Sequence, residues 1–119
     1  MHETAIVSGL MRILEQQAQA HGVNHIQRIT LKVGRLRAVE PQQLRLCFEM
    51  FAEGSIADGA ELVIDAVPVR ARCKTCGTFF DVPRYRFVCP GCNAGDVDIV
   101  GGQELYIDSF EPAPSPGRV

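Results

Sequence analysis

Residues 4 to 20 place Ile6, Leu10, Ile13, Leu14 and Ala18 at helical spacing, with Arg12, Glu15, Gln16 and Gln19 on the other side. This period predicts an amphipathic helix. Thr4 is placed to act as its N-cap, and His21-Gly22 supplies a cationic-capable last turn and a left-handed stop. The period then changes: Ile29, Leu31 and Val33 alternate with Thr30, Lys32 and Gly34, the pattern of a half-buried strand. Pro41 suits a first helical position, and Leu44, Cys47, Phe48 and Phe51 form the apolar stripe behind it. Glu40 is a candidate cap for that helix, and Glu53-Gly54-Ser55 ends it. A second strand is expected over Glu61 to Val69, with Leu62, Ile64 and Ala66 on one face, and a third at Leu105, Ile107 and Phe110.

The order helix-strand-helix-strand-strand predicts an α/β protein of the α+β kind, with two helices packed on one face of a three-stranded sheet. Residues 1–68 plus 103–111 form that domain. Residues 69–102 interrupt the sheet as an inserted module, too short to bury an adequate core without a staple. The segment 112–119, with Pro112, Pro114 and Pro116, is expected to be a disordered tail.

The staple is legible in Cys73-x-x-Cys76-Gly77 and Cys89-Pro90-Gly91-Cys92. Two residues between thiols let one tight turn aim both sulfurs at a single ion, and two such turns complete a tetrahedral S4 site for Zn2+. All four corners are filled, so the ion is structural; a catalytic zinc keeps one position open. A thioredoxin-type redox motif uses one Cys-x-x-Cys and leaves the second pair unexplained. A disulfide framework suits an exported protein, but Met1-His2-Glu3-Thr4-Ala5-Ile6-Val7 lacks the basic flank and apolar core of an export signal. The expected location is therefore cytoplasmic, where such spacing favours metal. Cys47, within the second helical stripe, reads as a small apolar side chain for the core.

Composition narrows the function. The formal net charge of -2 argues against a protein built to hold a phosphate backbone, and no stretch approaches a membrane-spanning length. Five basic residues, Arg70, Arg72, Lys74, Arg84 and Arg86, stand against Asp81, Asp96 and Asp98 in the module. They read as counter-charges to a four-thiolate cluster. The alternative is a zinc-ribbon module that binds nucleic acid or protein through those cations, with Phe79, Phe80, Tyr85 and Phe87 stacking between them instead of forming a small core. No phosphate-binding glycine loop or Ser/His/Asp order is present, so an enzyme is not expected. His25, just before the first strand, suits a surface or loop role.

His2 reads as an ordinary frayed terminal residue on its local sequence. Beside a free α-amine, however, its imidazole can join that amine and backbone amide nitrogens around one ion. Planar, all-nitrogen ligation suits Ni(II) or Cu(II) and not zinc. Amide nitrogens bind only when deprotonated, which makes such a site reversible and fit for delivery.

Met1-His2-Glu3 before an amphipathic helix, Val33-Gly34-x-Leu36, Val39-Glu40-Pro41, Gly59-Ala60-x-Leu62, the two cysteine pairs and Gly102-x-Glu104-Leu105-x-Ile107 together resemble the HypA/HybF family of hydrogenase maturation factors. The resemblance runs from residue 1 to about 111. It implies a nickel metallochaperone that helps deliver Ni(II) to the large subunit of [NiFe]-hydrogenase with a HypB-like GTPase; some members also serve urease. It implies His2 as nickel ligand and Cys73, Cys76, Cys89 and Cys92 as structural zinc ligands. Glu3 and Glu40 match acids near the family's nickel site, while helix-terminal roles account for both as well. The family's usual Leu-Ser after Met-His-Glu is replaced by Thr4-Ala5, a change on a surface that could meet a partner.

Overall fold

The computed structural model describes residues 3–114 and divides the chain into two compact units. The first comprises Met1–Leu31, Val39–Asp65 and Tyr106–Val119, the second Lys32–Ala38 and Ala66–Leu105. The expected module 69–102 falls inside the second unit, which also takes in Lys32–Ala38 and a few flanking residues. Among the described residues no helix is long and apolar enough to cross a membrane.

In the first unit, α1 (Glu3–Ala20) buries Ile6, Val7, Leu10, Met11, Leu14 and Ala18, and α2 (Pro41–Ala52) buries Leu44, Phe48 and Ala52. The inward stripe of α1 runs slightly to one side of the expected one. Ile13 stands 49% exposed, because it sits about 100° round the helix from Leu14, and Val7 and Met11 fill the core instead. The helix starts at Glu3, so Thr4 lies within its first turn and is not the N-cap. Its Oγ1 lies 3.7 Å from Cys47 Sγ. Cys47 is only half-buried, and Phe51 is exposed. At the other end His21 does close the helix: its Nδ1 hydrogen-bonds the Gln17 carbonyl at 2.8 Å, and Gly22 follows with φ +67.

The sheet has the order β2-β1-β6, from β1 (Ile26–Gly34), β2 (Glu61–Val67) and β6 (Leu105–Pro112). On the buried face Ile29, Leu31 and Leu62 join the helix stripes, and Ile26 is also buried at the start of β1. On the exposed face Arg28 of the central strand reaches both neighbours, Glu61 at 2.8 Å and Glu111 at 2.9 Å. β2 stops two residues earlier than expected because Pro68 has no N–H for a ladder. The chain end departs from the sequence expectation. β6 continues through Glu111 and Pro112, and the Ala113 N–H donates to the His25 carbonyl at 2.9 Å. An edge strand tolerates a terminal proline, whose missing donor would face outward. The rest of the expected tail, 115–119, lies outside the described residues.

The second unit has its own antiparallel sheet, order β4-β3-β5, which strand periodicity does not reveal. Its strands are too short to display a period: β3 (Arg70–Cys73), β4 (Phe79–Asp81) and β5 (Val97–Gly101). Ala71 pairs with Phe80 on one side and Ile99 on the other. Val69, Ala71, Cys73, Phe80, Val82 and Cys89 form the core, with Leu36, Phe87, Ala94 and Val97 packed on it. Lys32–Ala38 belongs here because its backbone pairs with the chain before β6: Gly34 N–H donates to Glu104 O at 2.7 Å and Leu36 N–H to Gly102 O at 2.8 Å.

Candidate metal centre

Cys73 ends β3 on the inward parity it shares with Ala71, and it is fully buried. The chain then turns tightly. Gly77 N–H donates to Cys73 O at 2.9 Å, and Cys73 N–H donates to Thr78 O, also at 2.9 Å. The same construction recurs sixteen residues on. Asn93 N–H donates to Cys89 O at 2.8 Å and Cys89 N–H to Ala94 O at 2.9 Å. Each knuckle ends on a left-handed residue directly after its second cysteine, Gly77 at φ +78 and Asn93 at φ +66. Asparagine tolerates that conformation better than most side chains, so Asn93, and not only Pro90-Gly91, marks the second turn in the sequence.

The two knuckles bring all four sulfurs within 4.8 Å of one another. Cys73 Sγ lies 3.5 Å from Cys92 Sγ, and Cys76 Sγ 3.5 Å from Cys89 Sγ. A regular tetrahedron of sulfurs at about 2.3 Å from a central ion has edges of about 3.8 Å, so this cluster fits one ion with little adjustment. Backbone amides already point at the sulfurs: Cys76 N–H at Cys73 Sγ and Gly91 N–H at Cys89 Sγ, both 3.4 Å. Such donors stabilise thiolates.

The electrostatics of the four thiols call for a cation. The Thr78 hydroxyl and then its amide hold the Cys76 thiol down at about 6, and the Cys76 amide lowers Cys73. Cys92 is pushed up to about 12: the Ala94 amide favours its thiolate, but Cys73, burial, Cys76 and Cys89 together outweigh it. Some of the sulfurs ionise readily and another resists. A dication at the centre removes that conflict and permits four thiolates.

Three of the five cations expected to offset the cluster take other partners. Arg70 pairs with Asp81 at 3.4 Å, Lys74 lies 3.6 Å from Asp96 and 3.5 Å from Asp98, and Arg72 stacks over the Phe79 ring at 5.9 Å. Of the aromatics, Phe80 and Phe87 are core while Phe79 and Tyr85 are more than half exposed. Among the described residues no second group of three His, Cys, Asp or Glu side chains comes together.

His2, the expected nickel ligand, lies outside the described residues. Immediately after it in the chain, the Glu3 carboxylate accepts the Glu40 N–H at 3.3 Å, and the Glu40 carboxylate accepts the Gln43 N–H at 2.8 Å as N-cap of α2. The first turn of α1 is thereby tied to the first turn of α2, with two carboxylates at that end of the unit.

Comparison with known proteins agrees over nearly the whole chain. The family described as hydrogenase/urease nickel incorporation, metallochaperone, HypA, matches residues 1–112. The hydrogenase maturation factor HypA of Desulfitobacterium hafniense (strain DSM 10664 / DCB-2) is 38% identical over 111 residues, 93% of this chain and 97% of that protein. Its counterpart in Chlorobium luteolum is 40% identical over 110 residues, 92% and 94% of the two chains. Among solved structures, the Ni metallochaperone HypA from Helicobacter pylori superposes with TM-score 0.69 at 28% identity, covering 97% of this chain and 100% of that one.

Proposed function

Because the chain belongs to the HypA family of hydrogenase/urease nickel-incorporation metallochaperones, we propose that it carries Ni(II) to the large subunit of [NiFe]-hydrogenase during maturation. The observation that carries this reading is the coincidence of a family match over residues 1–112 with a four-sulfur cluster built from the same chain. Nickel is the cargo, held by His2 with neighbouring backbone nitrogens in a planar site. Glu3 spends its carboxylate on the Glu40 N–H and Glu40 its own on the Gln43 N–H, so both act first as parts of the scaffold that presents His2.

Cys73, Cys76, Cys89 and Cys92 hold a structural Zn2+ in this proposal. Four soft thiolates in a closed tetrahedron suit zinc better than nickel or copper in planar coordination. When bound, the ion joins the two knuckles and fixes the small second sheet. The protein is a carrier and not a catalyst. It works in the cytoplasm with a HypB-like GTPase, which performs any nucleotide hydrolysis, and with the hydrogenase large subunit; urease is a possible second recipient. The nucleic-acid reading loses support because Arg70 and Lys74 are engaged by aspartates.

Affinity cannot give the carrier its selectivity, since copper outranks nickel for nitrogen donors; partner recognition must supply it. The test is nickel binding by the untagged protein, wild type against His2→Ala, by calorimetry and the absorption band of planar Ni(II). Stoichiometric binding with the planar band, lost in the variant, is expected. Equal binding by both proteins, or by neither, would overturn the proposal.

A further inference from the structure

Charge is divided unequally along this chain. The second unit, Lys32–Ala38 with Ala66–Leu105, holds eight Lys and Arg against four Asp and Glu, whereas the rest holds four against ten. Four thiolates around one dication take two charges from the surplus, and a positive balance remains.

Part of that surplus surrounds a cavity of about 460 Å3 within the second unit. Its floor is apolar, with Val69 and Val82 buried beside Pro68 and Pro83. Arg35, Arg84 and Tyr85 stand round it, all exposed. Asp81 also lines the cavity, but Arg70 occupies its carboxylate at 3.4 Å. Neither the Arg35 nor the Arg84 guanidinium has a carboxylate partner among the described residues. Arg84 and Tyr85 are consecutive non-glycine residues at positive φ, 53° and 59°. Two such residues in succession are held there only when the surroundings fix them. Here the Tyr85 hydroxyl donates to the Arg35 carbonyl at 3.4 Å, fastening the turn across the cavity mouth.

We propose that this cavity is a docking site for an acidic peptide segment of a partner protein, its carboxylates taken by Arg35 and Arg84 and an apolar side chain seated on Val69 and Val82. Guanidinium forks match carboxylates in geometry as well as charge. A free small anion would leave the apolar floor unused. A nucleic-acid strand requires a run of cations, and only two line this cavity.

The probe is a fluorescein-labelled twelve-residue peptide of alternating glutamate and valine, titrated into the full-length, metal-loaded protein without nickel. Its glutamine and lysine counterparts and a dodecathymidylate strand serve as comparisons. Saturable binding of the glutamate peptide alone is expected, with NMR shifts concentrated at Val69, Val82 and Tyr85. Arg35→Gln with Arg84→Gln should weaken it at least tenfold, while Arg86→Gln, outside the cavity, leaves it within twofold. Arg84→Gln alone, on an exposed turn, keeps the test open if the double variant misfolds, and should weaken binding at least threefold. Equal loss from Arg86→Gln, shifts elsewhere, tighter binding of dodecathymidylate, or no saturation each overturns the proposal. No nickel is present, so the outcome is separable from that of the His2→Ala experiment.

Discussion

Gly34→Ala tests a close backbone approach within the second unit. A Cβ on Gly34 would stand 2.1 Å from Gly102 C and O and 2.5 Å from Gln103 N. All three are backbone atoms and cannot swing aside as a side chain would. The conformation itself is not the obstacle, since Gly34 has φ -69 and ψ 141, open to any residue. The methyl must push the two segments apart. Overpacking of this kind costs about 3 kcal/mol. Separation also stretches the bonds from Gly34 N–H to Glu104 O and from Leu36 N–H to Gly102 O, each worth about 1 kcal/mol. A loss on the order of 4 kcal/mol is a large fraction of the stability of a small domain. The matched control is Gly9→Ala, the same chemical change in the middle of α1, where nothing lies within 4 Å of the added methyl. Gly9→Ala should stabilise by about 0.5–1 kcal/mol through helix propensity and a less flexible unfolded chain. Urea titration at fixed zinc concentration, read by amide resonances of each unit separately, measures both. A cost for Gly34→Ala below about 1 kcal/mol would refute the reasoning, because it would mean the two strands yield freely.

Glu40→Ala removes the N-cap of α2 and should cost about 1 kcal/mol, with faster hydrogen exchange at Gln43 N–H; unchanged exchange there would remove the cap from the account. Cys73→Ser should release the bound metal and unfold β3 to β5 while leaving the α1 and α2 resonances in place, with metal content read by elemental analysis. Full metal retention by that variant would count against the four-thiolate site. Thr78→Val tests the pH dependence. The Thr78 hydroxyl is the largest of the causes that hold Cys76 down at about 6, so the stabilisation it gives the thiolate is complete above the ordinary thiol value of 9.0 and is lost as pH falls through about 6. Removing the hydroxyl raises Cys76, and the pH at which half the metal is released should rise; a midpoint that stays or falls would contradict the assigned cause.

The first unit could be read from sequence because its elements are long enough to show a period. Eighteen residues of α1 and nine of β1 repeat their apolar positions several times, so an error at one position, such as Ile13, leaves the element intact. Errors gathered at ends, where one contact outweighs the local pattern: Thr4 fell inside the helix, and the strand beyond Phe110 continued because its pairing runs through Pro112. The four-sulfur site was legible for a different reason. Ligand spacing is a local constraint, and Cys-x-x-Cys with a left-handed residue after it dictates the same turn in both knuckles. The small sheet around that site was not legible, because strands of three to five residues contain no repeat and β3 owes its pairing with β5 to Ala71 meeting Ile99, farther along the chain than a local window spans. Lys32–Ala38 shows the same limit most plainly. Its membership in the second unit rests on Gly34 lying against Gly102, sixty-eight residues away, and only the absence of a side chain at position 34 records that contact in the sequence. A glycine in an otherwise ordinary extended conformation is therefore the mark to look for when a strand end passes from one unit of a chain to another.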